Sequence, residues 1–325
     1  ARATSDGKKA GSYGVGQSYT VGDVTVTVNA IGGTADVTVT DATQSSLTAG
    51  TPSVTGSSAV GQTLTVDEGT WSPTPDSYTY QWLADGTAID GATSRTITLS
   101  AAQRGKRISA RVTGARSGYA SASATSGQTA AVSSGTFTQQ TAPSVSGTAQ
   151  VDQALTALPG SYSPTPDGYA YQWYADSTAV TGATSATFTP GASQLGQVIR
   201  VRVTAQRDGY VDYATLSGPS AAVAPGTFTA GTPTVSGTAR VGAVLTADEG
   251  TWSPTPDSFT YQWRADGVAV SGATSRTFTP SGAQAGKTLS VQVTGGRTGY
   301  TSASATSATT CRARRRARNR RGPSR

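Results

Sequence analysis

The chain has 325 residues, of which 13% are charged and 35% hydrophobic, with a formal net charge of +7. It holds no histidine, no methionine, one cysteine (Cys311) and two glutamates (Glu68 and Glu249), so the commonest general base and metal ligand are missing, and neither an intrachain disulfide nor a cysteine-based zinc site can form. The positive charge is confined to one end: residues 311–325 carry eight arginines and no acid, which leaves the remainder at −1, without the distributed basic face that nucleic-acid binding requires.

Threonine and valine alternate throughout and are punctuated by glycine and proline, which predicts short strands and tight turns. No apolar run reaches the length of a membrane-spanning helix, and no signal peptide opens the chain. In residues 1–46, Val24-Thr25-Val26-Thr27-Val28 and Asp36-Val37-Thr38-Val39 flank Gly32-Gly33, which reads as a β-hairpin. A lone hairpin is marginal in water, so this one is expected to be the last piece of an upstream domain. Its run of valine and threonine resembles the small β tails that close some secreted bacterial metalloproteases.

A repeat then dominates. WSPTPDSYTYQW from Trp71 recurs as YSPTPDGYAYQW from Tyr162 and WSPTPDSFTYQW from Trp252, at intervals of 91 and 90 residues. Pro52, Pro143 and Pro233 align in the same register, as do Leu64, Leu155 and Leu245, and Gly118-Tyr119, Gly209-Tyr210 and Gly299-Tyr300. A period near 90 residues is too long for a solenoid and suits an independent β-sandwich. In the first copy seven strands are predicted: Ser53–Thr55, Thr63–Asp67, Thr79–Leu83, Thr87–Ile89, Arg95–Leu99, Arg107–Thr113 and Ala122–Val132. Alternation puts Tyr80 and Trp82 on one face with Gln81 pointing away, and Ile108, Ala110 and Val112 on a matching face. The expected fold class is all-β: three tandem immunoglobulin-like sandwiches, at 47–135, 136–226 and 227–310, preceded by the hairpin at 1–46.

The proline-led first strand, the Tyr-Gln-Trp strand, the Asp-Gly turn, the GATS segments at Gly91, Gly182 and Gly272, and the closing Val-Thr…Gly-Tyr resemble the bacterial Ig-like repeats of secreted and cell-surface proteins from high-GC actinobacteria. The resemblance covers roughly residues 47–310. It implies an extracellular setting and a core role for Trp82, Trp173 and Trp263, which match the tryptophan of the third Ig strand. The two core cysteines of antibody-type domains are absent.

After Thr310 the composition switches to CRARRRARNRRGPSR, replacing what register aligns with Ala130-Ala131-Val132. Residues 311–325 are expected to be a disordered arginine-rich tail: a grip for anionic polymers, an inert solvated end, or an out-of-frame translation of GC-rich DNA. Elsewhere Asp67-Glu68 and Asp248-Glu249 read as surface turns, because the second copy has Leu158-Pro159 there. Asp85, Asp176 and Asp266 read as turn residues. Trp71, Tyr162 and Trp252, each before Ser-Pro-Thr-Pro, either stack on a sugar ring or cover one end of a core. No catalytic, cofactor-binding or metal-binding residue is predicted. Short linkers at 133–135 and 224–226 suit a semi-rigid monomeric rod. The leading functional expectation is a non-catalytic extracellular spacer or stalk of a larger protein. The alternatives are cell-wall or environmental polysaccharide binding, and an accessory region of a secreted protease or glycosidase.

Overall fold

A computed structural model of the chain describes residues 15–21, 24–29, 37–41, 45–310 and 312–315. These fall into two compact units, residues 1–137 with 207–211, and residues 138–206 with 212–325.

The first unit begins with the predicted hairpin pair. Val24–Val28 lies antiparallel to Val37–Asp41 with Val26 opposite Val39, and the Gly32-Gly33 turn lies outside the described residues. A third strand that the pattern did not single out, Ser18–Val21, pairs with the other edge of Val24–Val28.

The first sandwich follows. Ser53–Thr55, Thr63–Asp67 and Thr96–Thr98 form a three-stranded sheet; Ala122–Thr125, Ile108–Ala115, Ser77–Ala84 and Thr87–Ala88 form a four-stranded one, in that spatial order. Leu64 and Val66 from one sheet meet Trp82, Ala84, Ile108, Ala110 and Val112 from the other in a single core, at 0–7% exposure. Period-2 alternation is what delivers them: along Thr63–Asp67 only the second and fourth residues are buried. Trp82 sits opposite Ala110, and its Nε1 donates to the Ser94 carbonyl at 2.9 Å.

The second unit contains the other two sandwiches, built the same way. Trp173 faces Val201 and Trp263 faces Val291, both indoles are fully buried, and their Nε1 atoms donate to the carbonyls of Ser185 and Ser275. Equivalent buried serines complete the four-stranded sheets: Ser126, Ser217 and Ser307 accept from the backbone N–H of Ala110, Val201 and Val291 at 2.9–3.0 Å. Without these hydroxyls, three buried donors would be left unpaired.

Gln81, predicted to point away from the core, does so, but its amide is not free. Nε2 of Gln81 donates to the carbonyls of Trp82 and Ile89, and Gln172 and Gln262 repeat the pattern, so each stitches its strand to the short strand beside it.

The third sandwich also closes later than expected. Ala313 is 2% exposed and occupies the register position of the buried Val132 and Val223, exchanging hydrogen bonds with Gly286 and Lys287. Arg314 bridges to Arg240. Residues 312–314 therefore belong to the closing run of the sandwich, because the backbone ladder needs no particular side chain there and Ala313 is small and apolar. The expected tail is left with residues 316–325, outside the described residues, as is Cys311.

Candidate functional site

The aromatics before Ser-Pro-Thr-Pro turn inward. Trp71, Tyr162 and Trp252 are 5%, 5% and 6% exposed, and stacking on a sugar needs an open ring face. Trp71 and Trp252 also donate Nε1 to the carbonyls of Glu68 and Glu249 at 2.8 Å. Ring size is matched from across the core. A Cβ added to Gly114 or Gly295 would lie 3.0 Å from the ring of Trp71 or Trp252, whereas the smaller Tyr162 coexists with Ala205 at the equivalent position. The peptide bonds that follow, Ser72–Pro73, Ser163–Pro164 and Ser253–Pro254, are cis.

The two acid pairs divide their work. Asp67 and Asp248 make turns, each accepting from the glycine N–H two residues on. Glu68 instead folds inward: its Oε1 accepts from the Tyr80 hydroxyl at 2.6 Å and from Arg95 Nε at 2.9 Å, with the carboxylate side chain 16% exposed. Burial pushes the Glu68 carboxyl up, but bonds from Tyr80 and its own backbone, together with the Arg95 charge, outweigh that and leave it below its ordinary value. Burial first, then the Glu68 bond and charge, push the Tyr80 hydroxyl up to about 12. Tyr261, Glu249 and Arg276 rebuild the same triad in the third sandwich. In the second, Pro159 and Ala186 replace the acid and the arginine.

Asp85, Asp176 and Asp266 occupy left-handed backbone at φ 49–52°, as turn chemistry suggests. Their carboxylates, however, reach across the sheet: Oδ1 accepts from the backbone N–H of Arg107, Val198 and Thr288, at 2.9–3.0 Å. Among the described residues, no group of three or more His, Cys, Asp or Glu side chains is placed to hold a metal ion, and no helix is long and apolar enough to cross a membrane.

The Gly-Tyr pairs proved the most consequential positions. Within the second unit, Tyr300 leaves the third sandwich and donates its hydroxyl to Asp152 of the second at 2.7 Å. Arg297 lies over the Tyr300 ring at 4.9 Å and pairs with the same Asp152 carboxylate at 3.1 Å. Phe228 packs under the ring at 4.9 Å. The linker is held on both sides. Ala224 exchanges backbone hydrogen bonds with Ala149 and Val151, and Gly226 does so with Gly299 and Thr301. Only glycine fits there: a Cβ at residue 226 would lie 2.5 Å from the Tyr300 ring. The first unit contains the glycine–tyrosine packing of this joint without the acid, since Gly61 stands where the second copy has Asp152. Tyr210 packs on Phe137 at 5.3 Å, a Cβ on Gly135 would meet its ring at 2.5 Å, and Gly209 lies against Val60 and Ala101.

Each repeat is thus an immunoglobulin-like sandwich in a tandem array. No protein-family model matches the chain, and no curated protein matches it. Among solved structures it is similar to the three N-terminal domains of the Highly Immunogenic Outer Capsid protein of bacteriophage RB49, at 15% identity and TM-score 0.26 over 82% of this chain and 98% of that one. It is similar to a Ca2+-stabilized adhesin of an Antarctic bacterium that binds ice, at 14% identity and TM-score 0.30 over 84% and 76%. It is also similar to an ectodomain fragment of ICAM-5, at 13% identity and TM-score 0.32 over 80% and 74%. At those scores the functional reading rests on the chain's own geometry.

Proposed function

We propose that the chain is a non-catalytic, extracellular spacer: an array of Ig-like sandwiches that holds another part of a larger secreted or surface protein away from its base. The observation that carries the reading is the joint inside the second unit. Four backbone hydrogen bonds, the Tyr300–Asp152 bond and the Arg297–Asp152 pair fasten the Ala224–Gly226 linker and the two sandwiches it connects. A free linker of three residues would need none of these. Ordering a backbone costs about 1–2 kcal/mol per residue, so a joint fixed this fully is expected where mutual orientation matters to the protein's work.

The direct test is NMR relaxation on the full chain. The second and third sandwiches should share one rotational correlation time, and Tyr300→Phe combined with Asp152→Asn should split it into two. Independent tumbling of these sandwiches in the unaltered protein would overturn the spacer reading. The reading is compatible with an upstream catalytic domain of a secreted hydrolase, in which case the array is its appendage.

A further inference from the structure

The outer face of the four-stranded sheet in the second sandwich differs from its counterparts in a way that packing does not require. Along Gly168–Ala175 and Ile199–Gln206, the residues facing the core are near-invariant in kind among the three copies: tryptophan, alanine, and aliphatic residues. On the opposite face Tyr174 stands beside Arg200, and Arg202 lies between Gln172 and Leu216. Tyr174, Arg200, Arg202 and Leu216 line a shallow depression of about 560 Å3, together with Asp176, Ser177 and Val198. That volume is within the range that small-molecule sites occupy, roughly 300–1,000 Å3.

Two features make the face unusual. First, Arg200 and Arg202 are two residues apart on one strand and so about 7 Å apart on one face, and their guanidinium groups make no hydrogen bond or ion pair among the described residues. Second, no other copy has the set. The first sandwich has Leu83, Ser109, Arg111 and Thr125 in register, hence a single arginine and no aromatic. The third has Arg264, Ser290, Gln292 and Thr306, and its arginine is consumed internally by Gly267 and Gln292. Leu216, in turn, is left 43% exposed where the other copies carry threonine.

We propose that this face binds a carboxylated polysaccharide, a chain of uronic-acid type. Two planar guanidiniums offer paired donors to carboxylates. Tyr174 and Leu216 offer apolar area to the C–H faces of sugar rings. Asp176 is held in place by the Val198 N–H on one oxygen, and its other oxygen accepts from sugar hydroxyls. A polyphosphate satisfies the arginines alone and has nothing to give to Asp176, Tyr174 or Leu216. A protein partner would require on the order of 800 Å2 per side with an apolar centre, and this face has only Tyr174, Val198 and Leu216 to offer. The inference stands apart from the spacer reading, since a rigid joint and a ligand on the second sandwich are tested by different signals.

The test is an NMR titration of the full chain with oligogalacturonate, reading backbone and arginine Nε–H signals by position, so that the arginine-rich end of the chain is resolved from this face. Signals from residues 172–176, 198–202 and 214–216 should move, with dextran leaving them still. The paired substitution Arg200→Ser and Arg202→Gln installs residues already present in the third sandwich at those positions, so the fold should survive. It should weaken binding at the face by about tenfold or more, and Tyr174→Leu, as in the first sandwich, should weaken it too. Absence of shifts at this face, equal shifts with inorganic polyphosphate, or unchanged affinity in the paired variant would each overturn the proposal.

Discussion

Tyr80→Phe removes one oxygen and leaves the carbon packing intact, so its cost isolates the hydroxyl's bond to Glu68. That bond is 2.6 Å long, and its acceptor is a carboxylate with a side chain only 16% exposed. A hydrogen bond to a charged group contributes about 1.5–3 kcal/mol. Arg95 stays with Glu68 but is 57% exposed and well screened, so we expect a loss of about 1–2 kcal/mol, and a drop of roughly 4–8 °C per kcal/mol in the melting of a domain this size. The second sandwich supplies the control. Tyr171 stands at the same position with Pro159 and Ala186 replacing the acid and the arginine, so Tyr171→Phe should change stability by less than about 0.5 kcal/mol. Native-state hydrogen exchange reads each sandwich separately, through the amides of Trp82 and Val112 against those of Trp173 and Val203. The pH dependence follows from the same contacts. Tyr80 titrates higher folded than unfolded, so its contribution is complete below about pH 10 and fades as pH climbs toward about 12. Glu68 titrates lower folded, so its contribution is present above its ordinary value of 4.5 and is lost as pH falls through the lowered one. Equal losses from Tyr80→Phe and Tyr171→Phe would refute the reasoning.

Trp71→Ala and Trp252→Ala should each destabilise their own sandwich by about 3–5 kcal/mol, since they empty a buried site; thermal unfolding followed by circular dichroism would show it. Gly226→Ala puts a methyl into the Tyr300 ring and should accelerate exchange of the Gly226 and Thr301 amides, with Trp173 and Trp263 unaffected. Asp152 adopts φ 63°, which asparagine also tolerates, so Asp152→Asn removes charge without backbone strain. It should cost about 0.2–1 kcal/mol at the joint, diminishing further in high salt, as read by the same exchange measurement.

The sandwiches were readable from sequence because their cores obey a local rule. Alternation along Tyr80-Gln81-Trp82 and Ala110-Arg111-Val112 states which side chains go inside, and three copies in register repeat the statement. The Glu68 triad escaped because Asp67-Glu68-Gly69 reads locally as a turn, while its partners lie 12 and 27 residues away. A signal did exist: acid and arginine are present together as Glu68 with Arg95 and Glu249 with Arg276, and absent together as Pro159 with Ala186. The same co-variation marks Trp71 with Gly114, Trp252 with Gly295, and Tyr162 with Ala205, which argues for rings turned inward. The joint was beyond any reading within one repeat. Tyr300 looks like a turn residue until Asp152, 148 positions earlier, is placed beside it. The closing run past Thr310 was hidden by composition, because dense arginine suggested a tail while backbone hydrogen bonds at Ala313 and Arg314 fasten residues 312–314 to the third sandwich.

The joint has a consequence for how such a chain can change length. Each copy of about 90 residues carries a glycine-tyrosine tip at one pole, and in the first two copies Val60 and Val151 at the other form the aliphatic seat on which a tip rests. A duplicated segment of one period therefore arrives with a tip and an aliphatic seat, wherever in the period the duplication starts, while the Asp152 carboxylate is particular to the second copy, the first and third having Gly61 and Gly242 there. Arrays of this kind can lengthen or shorten by recombination between copies without a new interface having to evolve. The outer face of a single copy can then differ from its neighbours, as Tyr174, Arg200 and Arg202 of the second copy differ from Leu83, Ser109 and Arg111 of the first and Arg264, Ser290 and Gln292 of the third.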